Sequence, residues 1–141
     1  MKTSSSLPKN EKTFSINIVG DTTKQNWTGK FTCVCMPTLK QKSDAAILEA
    51  QLNQDMKSLD QNTVLFHRMV AQLSQRLIEA PEWWITSDGG RDLMDVNVVW
   101  EVYKGCAEAE EQWKEKVWGK EEKEEKKEIK KSEESDEEAE E

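Results

Sequence analysis

Apolar and polar positions alternate across residues 13–36, which is the period of a β-strand with one buried face. The apolar positions of the first half are Phe14, Ile16 and Ile18, and those of the second half are Trp27, Phe31, Cys33 and Cys35. Between the halves, GDTTKQ begins with Gly20 and Asp21, which favour a turn. Pro37 ends the second strand. The pattern predicts a β-hairpin, and because a lone hairpin is marginal in water, we expect it to pack on helices or on another subunit.

Downstream of the hairpin, apolar residues recur at spacings of three and four, the pattern of amphipathic helices. The first predicted helix covers residues 43–59, with Ser43 or Asp44 as its N-cap. Its apolar stripe consists of Ala45, Leu48, Leu52, Met56 and Leu59.

The second predicted helix follows an N-cap at Asp60 or Asn62 and runs to about Glu79. Its apolar stripe consists of Leu65 or Phe66, Met69, Leu73 and Leu77. Pro81 disfavours helical backbone at the preceding residue, so we expect the helix to end there.

A third helix is predicted to begin at Asp95 as N-cap and to stop at Gly119. Its apolar stripe consists of Val99, Val102, Cys106, Ala109, Trp113 and Val117. Trp100 and Tyr103 widen the apolar face near the start of this helix.

The joint between the second and third helices, APEWWITSDGGRDLMD at residues 80–95, places two tryptophans directly after a proline. The pair Gly89–Gly90 allows the chain to reverse. Because adjacent side chains seldom face the same way, we expect either Trp83 or Trp84 to fill the core while the other stays near the surface. Two interpretations remain open. Both rings fill a corner of a small core, or the outer ring anchors a partner, since tryptophan is enriched at binding hot spots.

Composition and charge divide the 141-residue chain into three parts of one predicted domain. Residues 1–12 form a polar arm and residues 13–119 the folded part. Residues 120–141 hold twelve Asp/Glu against six lysines, so most of the net charge of −8 lies there. We expect a disordered acidic tail that either keeps the chain soluble or docks a basic partner, with Glu122 and Lys126 supporting at most a frayed helical continuation. The folded part lacks the excess of Lys/Arg that binding to bare nucleic acid needs.

Motifs of catalysis and cofactor binding are absent from the sequence. It has no glycine-rich nucleotide loop, no zinc-protease motif and no nucleophile elbow. Cys33, Cys35 and the distant Cys106 lack the spacing of a metal site, and His67 has no second ligand near it. We expect no catalytic, cofactor or metal site. The first two cysteines are interpreted as small apolar residues on one strand face.

The sequence also contains no apolar run of transmembrane length and no apolar signal-peptide region near its N-terminus. We therefore expect a protein of the host cell cytoplasm that does not associate with membranes.

The hairpin followed by helices, the Pro-Glu-Trp-Trp joint, the segment GGRDLMDVNVVWEVY and the acidic tail resemble small tail assembly chaperones of long-tailed bacteriophages. The resemblance covers roughly residues 13–119 and rests on the architecture and on residues 80–110. It implies a chaperone that coats the helical tape measure protein, helps recruit tail tube subunits and is absent from the finished virion.

Together these patterns predict an α+β fold, with a small N-terminal hairpin followed by three helices, that acts as a non-enzymatic binding module and is able to form homo-oligomers. The expected partner-binding residues are Trp83, Trp84, Trp100, Tyr103 and Trp113. Two alternatives stay open: a virion structural protein, such as a decoration or head–tail joining subunit, and an acidic inhibitor or interaction protein.

Overall fold

A computed structural model describes residues 7–54 and 60–140, with side chains for 7–54 and 60–119. The predicted α+β class is confirmed, because an antiparallel sheet of three strands is combined with helices. In chain order the elements are β1 (Glu11–Val19), β2 (Asn26–Val34), α1 (Leu39–Asn53), α2 (Gln61–Arg76), β3 (Leu77–Glu79), α3 (Glu82–Ile85) and α4 (Val96–Glu140). The described residues form two compact units, residues 10–110 and residues 7–9 with 111–140.

The predicted hairpin is confirmed as β1 and β2, which pair antiparallel without interruption from Glu11↔Val34 to Val19↔Asn26. Phe14 lies opposite Phe31, and their rings stack with centroids 5.6 Å apart. The apolar side chains of both strands thus point to the same face, as their alternation predicts, and the helices pack there.

The third strand, β3, was not predicted from the sequence. α2 ends at Arg76 instead of about Glu79, and the next three residues pair with β2 through Cys33↔Leu77 and Thr32↔Glu79. The helical spacing extends to Leu77, so it gives no sign of this change. Hydrogen bonding to β2, a tertiary contact, determines the backbone conformation here.

α1 begins earlier than predicted because its N-cap is Thr38 and not Ser43 or Asp44. The Thr38 hydroxyl accepts from Gln41 N at 3.1 Å, and Gln41 Oε1 accepts from Thr38 N at 2.8 Å, which together form a capping box. α1 ends at Asn53, and the predicted stripe residues Met56 and Leu59 lie outside the described residues. The N-cap of α2 is Asp60, one of the two predicted candidates; its carboxylate accepts from Thr63 N at 2.6 Å.

α4 begins at Val96, directly after the predicted Asp95, but it does not stop at Gly119. The helix extends to Glu140. The spacing of four between Glu122 and Lys126 favours such a continuation. One glycine costs a helix about 1 kcal/mol relative to alanine, and the glutamates and lysines on both sides are good helix formers. The predicted stop at Gly119 is therefore wrong.

The core of the unit at residues 10–110 lies between the apolar face of the sheet and one face each of α2 and α4. Its fully buried side chains include Phe31, Cys33, Leu73, Val98, Val99, Val102 and Cys106. Burying one large apolar side chain contributes about 1.5–3 kcal/mol, so these residues dominate the stability of the unit.

Candidate partner-binding surface

The joint after β3 buries one of its two tryptophans, as predicted. Trp84 is 4% exposed, and its ring packs edge-on against Phe31 at a centroid distance of 5.5 Å. Gly90 lies against the Trp84 ring with φ +93°, where a Cβ would approach the ring to 2.7 Å, and Gly89 also has positive φ. The glycine pair therefore provides both the reversal of the chain and the space for the ring.

Trp83 is half-buried and is held against the hairpin. Its ring centroid lies 4.8 Å from that of Trp27, and its Nε1 donates to the Thr28 carbonyl at 2.9 Å. The Trp83 ring also lies 5.9 Å from Phe31 and 6.2 Å from Trp84. The polar group of Trp83 is already satisfied within the fold, so the ring presents only part of its surface to a partner.

Asp95 joins the start of α4 to the turn of the hairpin. Its carboxylate accepts from Thr22 N and Thr23 N, both at 2.8 Å, from the Thr23 hydroxyl, and from Trp27 Nε1 at 2.8 Å. Burial by itself would raise the pKa of Asp95, but these hydrogen bonds outweigh it and lower the pKa to about 2. The carboxylate also lies against Gly20, where a Cβ would collide with it.

Arg76, the last residue of α2, is a buried cation that the sequence does not reveal. Its Nη2 donates to the carbonyls of Val34, Cys35 and Cys106, the last two at 2.7 and 3.0 Å. Its Nη1 lies 3.9 Å from a carboxylate oxygen of Glu110. Arg76 therefore links β2 and the segment after it to α4. Because the residue falls at the boundary between two elements, helical spacing alone does not predict its burial.

The three cysteines are free thiols buried in the core, which for Cys33 and Cys35 agrees with their interpretation as small apolar residues. Cys33 and Cys106 are both 0% exposed and hydrogen-bond to each other. That hydrogen bond, with burial as the second cause, raises the pKa of the Cys106 thiol far above its usual range. The thiol stays protonated and inert.

An apolar stripe on α4 remains exposed beside the buried face of the helix. We call Val96, Trp100 and Tyr103 the α4 stripe; their spacing of four and three places them on one side of the helix. Val96 is 50% and Trp100 47% exposed, and the Trp100 and Tyr103 rings stack at 5.9 Å and 26°. Met94, one residue before Asp95, is also exposed. Large rigid rings held in this way offer contact area at little cost in side-chain entropy.

A groove of about 630 Å³ opens beside α3 and the end of α2. Its lining includes Leu73, Leu77, Ile78, Trp84 and Ile85. Ile78 is 49% and Ile85 65% exposed, so the groove has an apolar rim as well as an apolar floor. The predicted binding residue Trp84 thus contributes to this groove from within the core rather than as a free ring.

The remaining predicted binding residue, Trp113, belongs to the other compact unit. Its Nε1 donates to the Pro8 carbonyl at 3.3 Å, and the ring is half-buried. Of the five predicted binding residues, the half-exposed Trp100 and the half-buried Tyr103 therefore form one stacked pair, Trp83 and Trp84 belong to the aromatic cluster of the joint, and Trp113 belongs to the other unit.

No family model, curated protein or solved structure matches this chain. Within residues 7–54 and 60–140, no helix combines the length and apolar character needed to cross a bilayer. The described residues also contain no cluster of three or more His, Cys, Asp or Glu that could hold a metal ion.

Proposed function

We propose that this protein is a tail assembly chaperone of a long-tailed bacteriophage, which binds the tape measure protein and helps to recruit tail tube subunits. The resemblance of residues 13–119 to such chaperones suggests this function. The observation that carries it is the α4 stripe, in which the 47% exposed Trp100 ring stacks on Tyr103, on a helix whose other face is buried.

The α4 stripe has the chemistry needed to hold an amphipathic helix. A helical partner presents apolar side chains at spacings of three and four, and these pack against aromatic anchors on the receptor. Trp100 and Tyr103 are of the residue types that contribute most at such interfaces. Because the stripe is short, contact with one copy is weak and reversible, as a chaperone that must leave its client requires.

The apolar groove supports the same proposal independently. Ile78 and Ile85 on its rim expose apolar surface that folding has not covered. This surface is of a kind that a second segment of the partner, or a tail tube subunit, can cover.

The proposal is tested by co-expressing the chain with the tape measure protein of the same phage and measuring how much of the latter stays soluble. The native chain is expected to keep the tape measure protein soluble and to co-purify with it. The substitution Trp100→Ala is expected to weaken binding by about tenfold or more, as for a truncated aromatic hot spot. Glu108→Ala is the matched control, since Glu108 is exposed on the same helix two turns beyond Trp100.

Two results would contradict the chaperone function. One is equal binding by the native chain and the Trp100→Ala variant. The other is recovery of the chain as a stoichiometric component of purified mature particles, which would favour a virion structural protein instead.

A further inference from the structure

β1 is a long strand at the edge of the sheet. Among residues 7–54 and 60–140, the strand order β1-β2-β3 leaves one side of β1 without a neighbouring strand. β1 has nine residues in uninterrupted register with β2, whereas the other edge strand, β3, has three residues and a register shift. Short strands and irregularities protect edges from further pairing. β3 has this protection and β1 does not.

The hydrogen bonds at the two ends of β1 identify which backbone groups face the open edge. Cys35 N donates to Asn10 O, and Gly20 N donates to Gln25 O, so the even-numbered positions bond to β2. In an antiparallel ladder the groups of alternate residues point to opposite sides. The odd-numbered residues of β1 therefore direct their N–H and C=O groups away from β2.

One contact at the end of β1 confirms this assignment. The side chain of Asn97 on α4 donates to the Val19 carbonyl at 2.9 Å from the side away from β2. Further along, Thr13, Ser15 and Asn17 are exposed, and among the described residues none bonds to their outward backbone groups. From Thr13 to Val19 the strand has no proline and no charged residue, the usual means of blocking an edge.

We propose that β1 pairs antiparallel with β1 of a second copy of this chain, about a two-fold axis at Ser15, so that one sheet continues through both copies. Ser15 then faces Ser15 of the other copy, and Thr13 faces Asn17. These are outward-facing positions, so each pair can exchange both of its backbone hydrogen bonds. A two-fold axis uses the same strand twice and therefore closes the assembly at two copies.

The side chains of β1 suit this register on both faces of the sheet. On the polar face, the hydroxyl and amide groups of Thr13, Ser15 and Asn17 lie opposite those of the other copy. On the apolar face, Phe14 of one copy lies opposite Ile16 of the other. The new ladder runs from Thr13 to Asn17, because Asn97 already bonds the Val19 carbonyl on that side. Glu11 and Lys12 fall beyond it, opposite Val19 and Ile18, so no like charges are placed directly across the axis.

Exposure on the apolar face also favours an added strand. Phe14 and Ile18 on β1 are only half-buried, whereas Phe31 on the central strand is fully buried. A further strand beyond β1 would cover the remaining apolar surface of these two side chains. The net charge of −8 on each copy opposes association, so added salt should strengthen the dimer.

Sedimentation velocity of the full chain over a range of concentrations tests the pairing. The native chain is expected to dimerise. Ser15→Lys places two lysines across the axis and should weaken dimerisation by about fivefold. Thr28→Lys is the matched control, because Thr28 is exposed on the same polar face but on the central strand; it should leave the dimer unchanged.

A Ser15→Cys variant tests the register directly. Cα atoms of a hydrogen-bonded pair lie about 5.5 Å apart, within the range of a disulfide, so oxidation should join two copies. The native cysteines are buried, and Thr28→Cys should stay uncrosslinked. A chain that remains monomeric, a dimer that Ser15→Lys leaves intact, or a Ser15→Cys variant that does not crosslink would each overturn the proposal. Its failure would leave the α4 stripe and the proposed chaperone function untouched.

Discussion

At the residue scale, Trp83 and Trp84 have adjacent positions but different surroundings. Trp84→Ala is expected to lower the free energy of unfolding by about 3–5 kcal/mol, because it leaves a cavity at a buried aromatic position. Trp83→Ala removes three ring contacts and one hydrogen bond from a half-buried side chain, so a loss of about 1–3 kcal/mol is expected. Urea unfolding followed by circular dichroism measures both values.

Ile85→Ala is the control for these two variants, since Ile85 is exposed on the same short helix; it should change the free energy of unfolding by less than about 0.5 kcal/mol. Equal losses for Trp83→Ala and Trp84→Ala would show that the two rings do not differ in burial as described.

Asp95 is expected to make the stability of the fold depend on pH in the acid range. Its pKa is lowered in the fold from 3.8 to about 2, so its ionised form stabilises the fold above the unfolded value. This stabilisation is lost as the pH falls from 3.8 toward about 2. Asp95→Asn should lower the melting temperature at neutral pH, and the difference from the native chain should narrow on acidification. Thermal unfolding at a series of pH values measures this difference in melting temperature. A difference that stays constant as the pH falls would contradict the role of Asp95.

At the element scale, two substitutions test which residue is the N-cap of α1, Thr38 as in the structure or Ser43 as predicted from the sequence. Thr38→Ala removes the capping hydroxyl and should cost about 1 kcal/mol of the free energy of unfolding. Ser43→Ala should be close to neutral, because Ser43 is exposed inside the helix. Chemical denaturation of both variants provides the comparison, and a larger loss for Ser43→Ala would restore the sequence-predicted start.

At the scale of the whole molecule, the acidic segment is expected to be dispensable for folding. The buried core lies in the unit at residues 10–110, and the apolar stripe of α4 ends before Gly119. Removing residues 120–141 should therefore shift the melting temperature by only a few degrees. A fall of about 10 °C or more would correspond to roughly 2–3 kcal/mol and would show that the segment packs on the rest of the chain.

Local patterns in the sequence were sufficient to predict most of the elements and one side of the core. Alternation specified the hairpin and its buried face, because a strand with one buried face needs apolar residues at every second position. Spacings of three and four specified the buried stripe of α4, including Val99, Val102 and Cys106. The joint between α2 and α4 was predicted from Pro81, which restricts the backbone, and from Gly89–Gly90, which adopt positive φ. The prediction that one tryptophan of this joint is buried followed from its position.

The tertiary structure decided the features that depend on residues distant in the chain. Leu77–Glu79 forms a strand only because β2 lies beside it. Asp95, expected as a helix cap, instead directs its carboxylate to Thr22, Thr23 and Trp27, some seventy positions away. Arg76 is buried because three carbonyls converge on it, two from the end of β2 and the residue after it and one from α4. The choice between Trp83 and Trp84, and the exposure of Trp100, were likewise set by packing, since local sequence determines which residues share a face but not which other segments cover it.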